Sequence, residues 1–110
     1  MSEEKNLTNL NNAFSALNKV REESLSISRE IVQYCSKSIR SVHRNSFDDA
    51  AKHIADASRK LDTLKKLSKN VSEISYAGYV LDAEREYVEA VLFYKFEKNN
   101  SSKKAIFLKS

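Results

Sequence analysis

Residues 76–97 read YAGYVLDAEREYVEAVLFYKFE, and this run sets the architecture. On a helical wheel at about 100° per residue, Tyr76, Tyr79, Val80, Ala83, Tyr87, Ala90, Val91 and Tyr94 form one broad apolar face. Leu81, Val88 and Leu92 form a second ridge. A helix that is apolar on more than one side is usually buried on more than one side. Asp82, Glu86 and Glu89 fall together in an arc of about 60°, near Phe93 and flanked by Phe96 and Tyr79. Carboxylates in that position are expected to line a groove or cavity rather than open solvent.

Upstream, the same periodicity continues. Asn45-Ser46 is the clearest break, with Ser46 as an N-cap and Asp48 and Asp49 at the positive end of a helix dipole. The second helix is predicted over 47–69, with Phe47, Ala50/Ala51, Ile54, Ala57, Leu61, Leu64 and Leu67 on its apolar face and Asn70 as its cap. Before the break, Leu7, Leu10, Phe14 and Leu17 repeat at spacings of three and four. The stripe weakens around Arg21 and Ser24, then resumes with Ile31, Cys35, Ile39 and Val42. One long helix over 4–44 is predicted, bent or broken near Asn18–Ser24. At 1.5 Å per residue it would run to roughly 60 Å, which is long beside the ~13 Å radius of gyration of a compact domain this size. Part of it must project or pack on another subunit.

Downstream, the third helix is predicted over 73–98, opened by Ser72 or Ser75. Asn99-Asn100-Ser101-Ser102 closes it. Residues 99–110 then form a polar linker and a short apolar tail, Ala105-Ile106-Phe107-Leu108. The expectation is an all-α chain of long antiparallel helices, with residues 1–98 as one three-helix region.

Composition agrees. Proline is absent and glycine occurs once, at Gly78, so the usual helix breakers are missing. Gly78 is expected to let another helix or a nucleic-acid backbone approach closely. The hydrophobic share of 41% suffices for a packed core. Cys35 is the only cysteine, so no internal disulfide is available and a reducing, cytoplasmic setting is expected. Its place on the apolar face makes it a packed thiol rather than a nucleophile. The polar N-terminus has no signal-peptide core, and no run approaches a membrane span.

The formal charge of +4 permits contact with nucleic acid without requiring it. Arg29, Lys37, Arg40, His43 and Arg44 make a basic stretch on the first helix. Such a stripe can neutralise phosphates, with affinity falling as salt rises; its plainer reading is a solvated basic face. His43 and His53 have no companion at a zinc spacing. The tyrosines could stack bases, though at helical spacing they are more often core. Close carboxylates repel unless compensated. Mg²⁺ is one compensator, and it takes one or two protein carboxylates plus water and substrate phosphate. Glu86 and Glu89, three apart, could supply the pair, with Asp82 beside them. The plainer reading is a salt-bridged surface, with Arg85 reaching Glu89.

Three segments carry a family resemblance. Glu86-Tyr87-Val88-Glu89-Ala90-Val91, followed by Phe93, is similar to a segment of the translin family, in its translin-associated factor X branch. Tyr76-Ala77-Gly78-Tyr79-Val80-Leu81-Asp82-Ala83 resembles the stretch leading into it. Ser28-Arg29-Glu30-Ile31-Val32 and Ser36–Arg44 resemble the family's first-helix pattern. The resemblance spans roughly residues 20–108. It implies a helical fold, assembly of several subunits into a hollow shell, and binding of single-stranded or short duplex RNA and DNA. In the factor X branch it also implies Mg²⁺-dependent endoribonuclease activity, with Glu86 and Glu89 matching two catalytic carboxylates. Members of the family are about twice this length, and a further acidic position lies in their second half.

The leading expectation is therefore a nucleic-acid-binding oligomer, homo-oligomeric or paired with a similar chain, with a metal-assisted ribonuclease function. The alternatives are a non-catalytic binding and oligomerisation module and a structural helical bundle. Three long apolar helices leave a face unburied, so the chain is not expected to be a monomer.

Overall fold

The structure is a computed structural model. It describes residues 2–69, 71–75 and 77–109, with the side chains of residues 7–69, 71, 72, 74 and 77–103. Among the described residues there are four helices and no strand: α1 (Ser2–His43), α2 (Phe47–Ser68), the single turn α3 (Ser72–Ser75) and α4 (Gly78–Lys109). The all-α expectation holds. The first helix is not broken, since α1 runs through Asn18–Ser24 without interruption.

The weakening of the stripe at Ser24 has a packing explanation. The buried positions of α1 are Ser24, Ser28, Ile31, Cys35, Ser38, Ser41 and Val42, and all but Ser41 follow alternating spacings of four and three. That is a heptad seam, but half of it is serine. Ala50, Ala57, Leu61, Leu64 and Ser68 are the buried positions of α2, and Val80, Ala83 and Ala90 those of α4. Small side chains on all three helices let their backbones approach closely. Ile31, Cys35, Ala57, Leu61, Leu64, Ile74, Val80, Ala83 and Ala90 form one core. The Ser38 hydroxyl adds a cross-helix bond, donating to the Ala50 carbonyl at 3.0 Å.

The α1–α2 turn is a Schellman cap. Asn45 takes the left-handed conformation, φ 61°. The Ser46 amide donates to the Ser41 carbonyl at 2.8 Å and the Asn45 amide to the Val42 carbonyl at 2.9 Å. Asparagine is one of the few residues that adopts this geometry at low cost. Ser46 stands at the N-cap of α2 but makes no side-chain cap bond, contrary to expectation. The turn is already held by backbone bonds. The C-cap of α2 is Lys69; Asn70 lies outside the described residues.

The third predicted helix is divided differently. It becomes the turn α3, anchored by buried Ile74, and a helix that starts at Gly78. Asn99–Ser102 does not close α4, which continues to Lys109, so the predicted linker and tail are helical. Asparagine and serine cost only a few tenths of a kcal/mol each within a helix, and no glycine or proline follows them.

At Gly78 no other element of this chain approaches closely, since a Cβ added there would meet nothing within 4 Å. The φ of Gly78 is not positive. Gly78→Ala is therefore expected to raise the unfolding free energy by about 0.5–1 kcal/mol, through the lower entropy of the unfolded chain. Urea denaturation of the two proteins would read the difference.

The result is a rod of 84 × 18 × 17 Å with a radius of gyration of 20.2 Å. α1 and α2 are antiparallel and α4 packs along both. At the far end, His43 meets Phe93 at 5.3 Å and Phe47 meets Tyr94 at 6.2 Å between ring centroids. These contacts put residues 93–94 level with the α1–α2 turn, so the rest of α4 extends beyond it. At the opposite end the first turns of α1 project, with Leu7, Leu10 and Phe14 60–66% exposed. The projection inferred from helix length is thus present. No helix among the described residues is long and apolar enough to cross a membrane.

Candidate nucleic-acid interface

Helical spacing puts Lys37, Arg40 and Arg44 on the side of α1 that faces α2. The antiparallel hairpin brings His53 of α2 to the same place. The four side chains line a recess of about 370 Å³. No acidic residue lines it. Lys37 also sits over the Tyr34 ring, 5.5 Å from its centroid, which holds the ammonium on the rim. His53 is half-buried, and its Nδ1 is buried without a protein partner. Three fixed cations and an imidazole around a hollow of this size form a site suited to an anion such as a phosphate.

The other two basic candidates go elsewhere. His43 packs on Phe93. Arg29 lines a separate groove of about 450 Å³ between α1 and α4, with Gln33, Tyr79 and Asp82. The predicted stripe is thus split between two faces. Nothing beside His53 in the sequence marks it as part of an anion site. Its signal lies in the hairpin register, which no local spacing reveals.

The carboxylates do not converge. Asp82 pairs with Arg85 at 3.1 Å, and the Asp82 side chain is 61% exposed. The surface pair thus forms with Asp82 rather than Glu89. Glu86 is half-buried and Glu89 is exposed. Among the described residues, no three His, Cys, Asp or Glu side chains come together to hold a metal ion. Glu86 and Glu89 remain as one pair of carboxylates on a single helix, with Glu89 exposed; a Mg²⁺ held there would draw its other ligands from water and substrate phosphate.

Cys35 is 1% exposed. Burial pushes its thiol up to about 11, and the nearby Glu86 carboxylate adds to the shift. The thiol stays protonated, so the packed reading stands over the nucleophilic one. Because the folded pKa lies above the ordinary 9.0, the protonated thiol's stabilising share is complete below pH 9 and lost as pH rises through about 11. A shift of about two units corresponds to about 2–3 kcal/mol. The stability advantage of the native chain over Cys35→Ala is expected to shrink by that order between pH 9 and 11. Denaturation curves at the two pH values would check it.

Tyr79 and Tyr87 are partly buried against the core and Tyr94 lies on Phe47, as packing residues would be. Tyr76 is outside the described residues. Across helices, Lys60 pairs with Glu30 at 2.9 Å in the open, where solvent screens the pair.

No family model matches the chain, and no solved structure matches it. An uncharacterized protein of Methanocaldococcus jannaschii is 31% identical over 98 residues, covering 86% of this chain and 41% of the relative. The chain therefore spans under half the length of that relative.

Proposed function

We propose that this chain is a nucleic-acid-binding helical module that grips the phosphate backbone of single-stranded or short duplex RNA or DNA. The observation that carries the reading is the recess lined by Lys37, Arg40, Arg44 and His53. Arginine forks bind phosphate oxygens in pairs, and lysine adds a point charge. The resemblance of residues 76–93 and of the first helix to the translin family supports the same class of ligand. Sequence preference is not expected from such contacts, because phosphates position a protein without reading bases.

The proposal is for binding, because the recess that carries it lies between α1 and α2 and is lined by Lys37, Arg40, Arg44 and His53, without the carboxylates of α4. The test is fluorescence anisotropy of a labelled single-stranded RNA titrated with the protein at several salt concentrations. Affinity is expected to fall with rising salt. No binding at low salt would leave the structural-bundle reading. Mg²⁺-dependent breakdown of the RNA, lost in Glu86→Gln and Glu89→Gln, would restore the ribonuclease reading.

A further inference from the structure

α4 carries a ridge that the bundle does not cover. Leu81, Val88, Leu92 and Phe96 are 48–63% exposed. On the wheel they lie almost opposite Ala83 and Ala90, which are buried against α1 and α2. The helix is thus packed on one side and apolar on the other. Isolated exposed apolar residues are ordinary, but a contiguous helical stripe marks a partner surface.

Charge along α4 says which partner. Its first half carries Asp82, Glu84, Glu86 and Glu89 against Arg85. Its second half carries Lys95, Lys98, Lys103, Lys104 and Lys109 against Glu97. The helix is acidic at one end and basic at the other. A second copy laid antiparallel sets acid against base along the whole contact, whereas a parallel copy sets like on like.

We infer that this ridge is the interface between two copies of this chain, paired antiparallel about a two-fold axis near Leu92. An isologous contact of this kind closes on itself. With the axis at Leu92, Val88 comes level with the partner's Phe96 and Leu92 meets its own counterpart. Glu89 comes level with the partner's Lys95, so the acidic half of one ridge lies beside the basic half of the other. The inference stands on the α4 surface alone and does not depend on nucleic-acid binding.

Light scattering without nucleic acid, at roughly 0.1 mM chain, should give twice the 12.6 kDa chain mass. Leu92→Glu places two like charges on the axis and should return the mass to that of one chain. Leu92 is exposed, so helicity by circular dichroism should stay unchanged. Orientation is read by cysteine cross-linking. Leu92→Cys should oxidise to a disulfide-linked dimer. Leu81→Cys should not, since antiparallel pairing holds the two copies of position 81 roughly 33 Å apart. A single-chain mass for the unaltered protein at that concentration would overturn the inference. So would equal cross-linking at both positions, which indicates parallel helices, or a dimer that survives Leu92→Glu.

Discussion

Replacing Leu64 by alanine is expected to lower the unfolding free energy by about 2–5 kcal/mol. Leu64 is 0% exposed and sits within the shared core of α1, α2 and α4. The core around it mixes Ile31, Leu61, Ile74 and Val80 with Cys35, Ala57, Ala83 and Ala90, and the cost within that range is set by how far these side chains can close the cavity. A domain of this size has a total stability of about 5–15 kcal/mol, so the loss is a large share of the whole. Leu10→Ala is the control. It makes the same chemical change on the projecting part of α1, where Leu10 is 66% exposed, and should shift stability by less than about 0.5 kcal/mol. Urea denaturation at one fixed chain concentration compares the two. Equal effects would mean that α2 does not pack as described.

The second large effect concerns the recess. Removing all three cations with Lys37→Ala, Arg40→Ala and Arg44→Ala should weaken single-stranded RNA binding by about 100-fold at 0.1 M salt. Each single-strand phosphate contact contributes roughly 0.7 to the logarithmic salt slope, or about fivefold in affinity at that salt. Three contacts give that product, and the slope itself should drop by about 2. The three residues are exposed, so folding should be little affected, and circular dichroism would show it. Affinity that drops without a change in salt slope would mean that the residues shape the recess without touching phosphate. Triple substitution of Lys65, Lys66 and Lys69 on the far part of α2 provides a charge-matched comparison and is expected to do much less.

Helical periodicity and the lack of proline made the all-α class legible. Asn45-Ser46 was legible as a break from Ser46 and the acidic pair after it, but what holds the turn is the left-handed Asn45 rather than a Ser46 side-chain cap. The ends of α4 were not legible. Asn99–Ser102 looks like a terminus in one dimension, yet weak helix formers alone do not stop a helix that has no breaker. The serines of the α1 seam were hidden for a similar reason. A buried Ser24 or Ser28 reads as polar, while its small volume is what the close packing uses.

The candidate sites divide along the same line. Spacing on one helix shows which side chains share a face, so Lys37, Arg40 and Arg44 could be grouped from the residues alone. Spacing says nothing about what lies opposite, because that depends on the register between helices. The hairpin brought His53 into the recess, turned His43 onto Phe93, and left Asp82 in solvent with Arg85. Local order therefore determined the helices, their turn and the basic stripe, through backbone sterics and periodicity. Which stripes were covered, and which charges met, was settled only when long-range packing ordered three rods side by side.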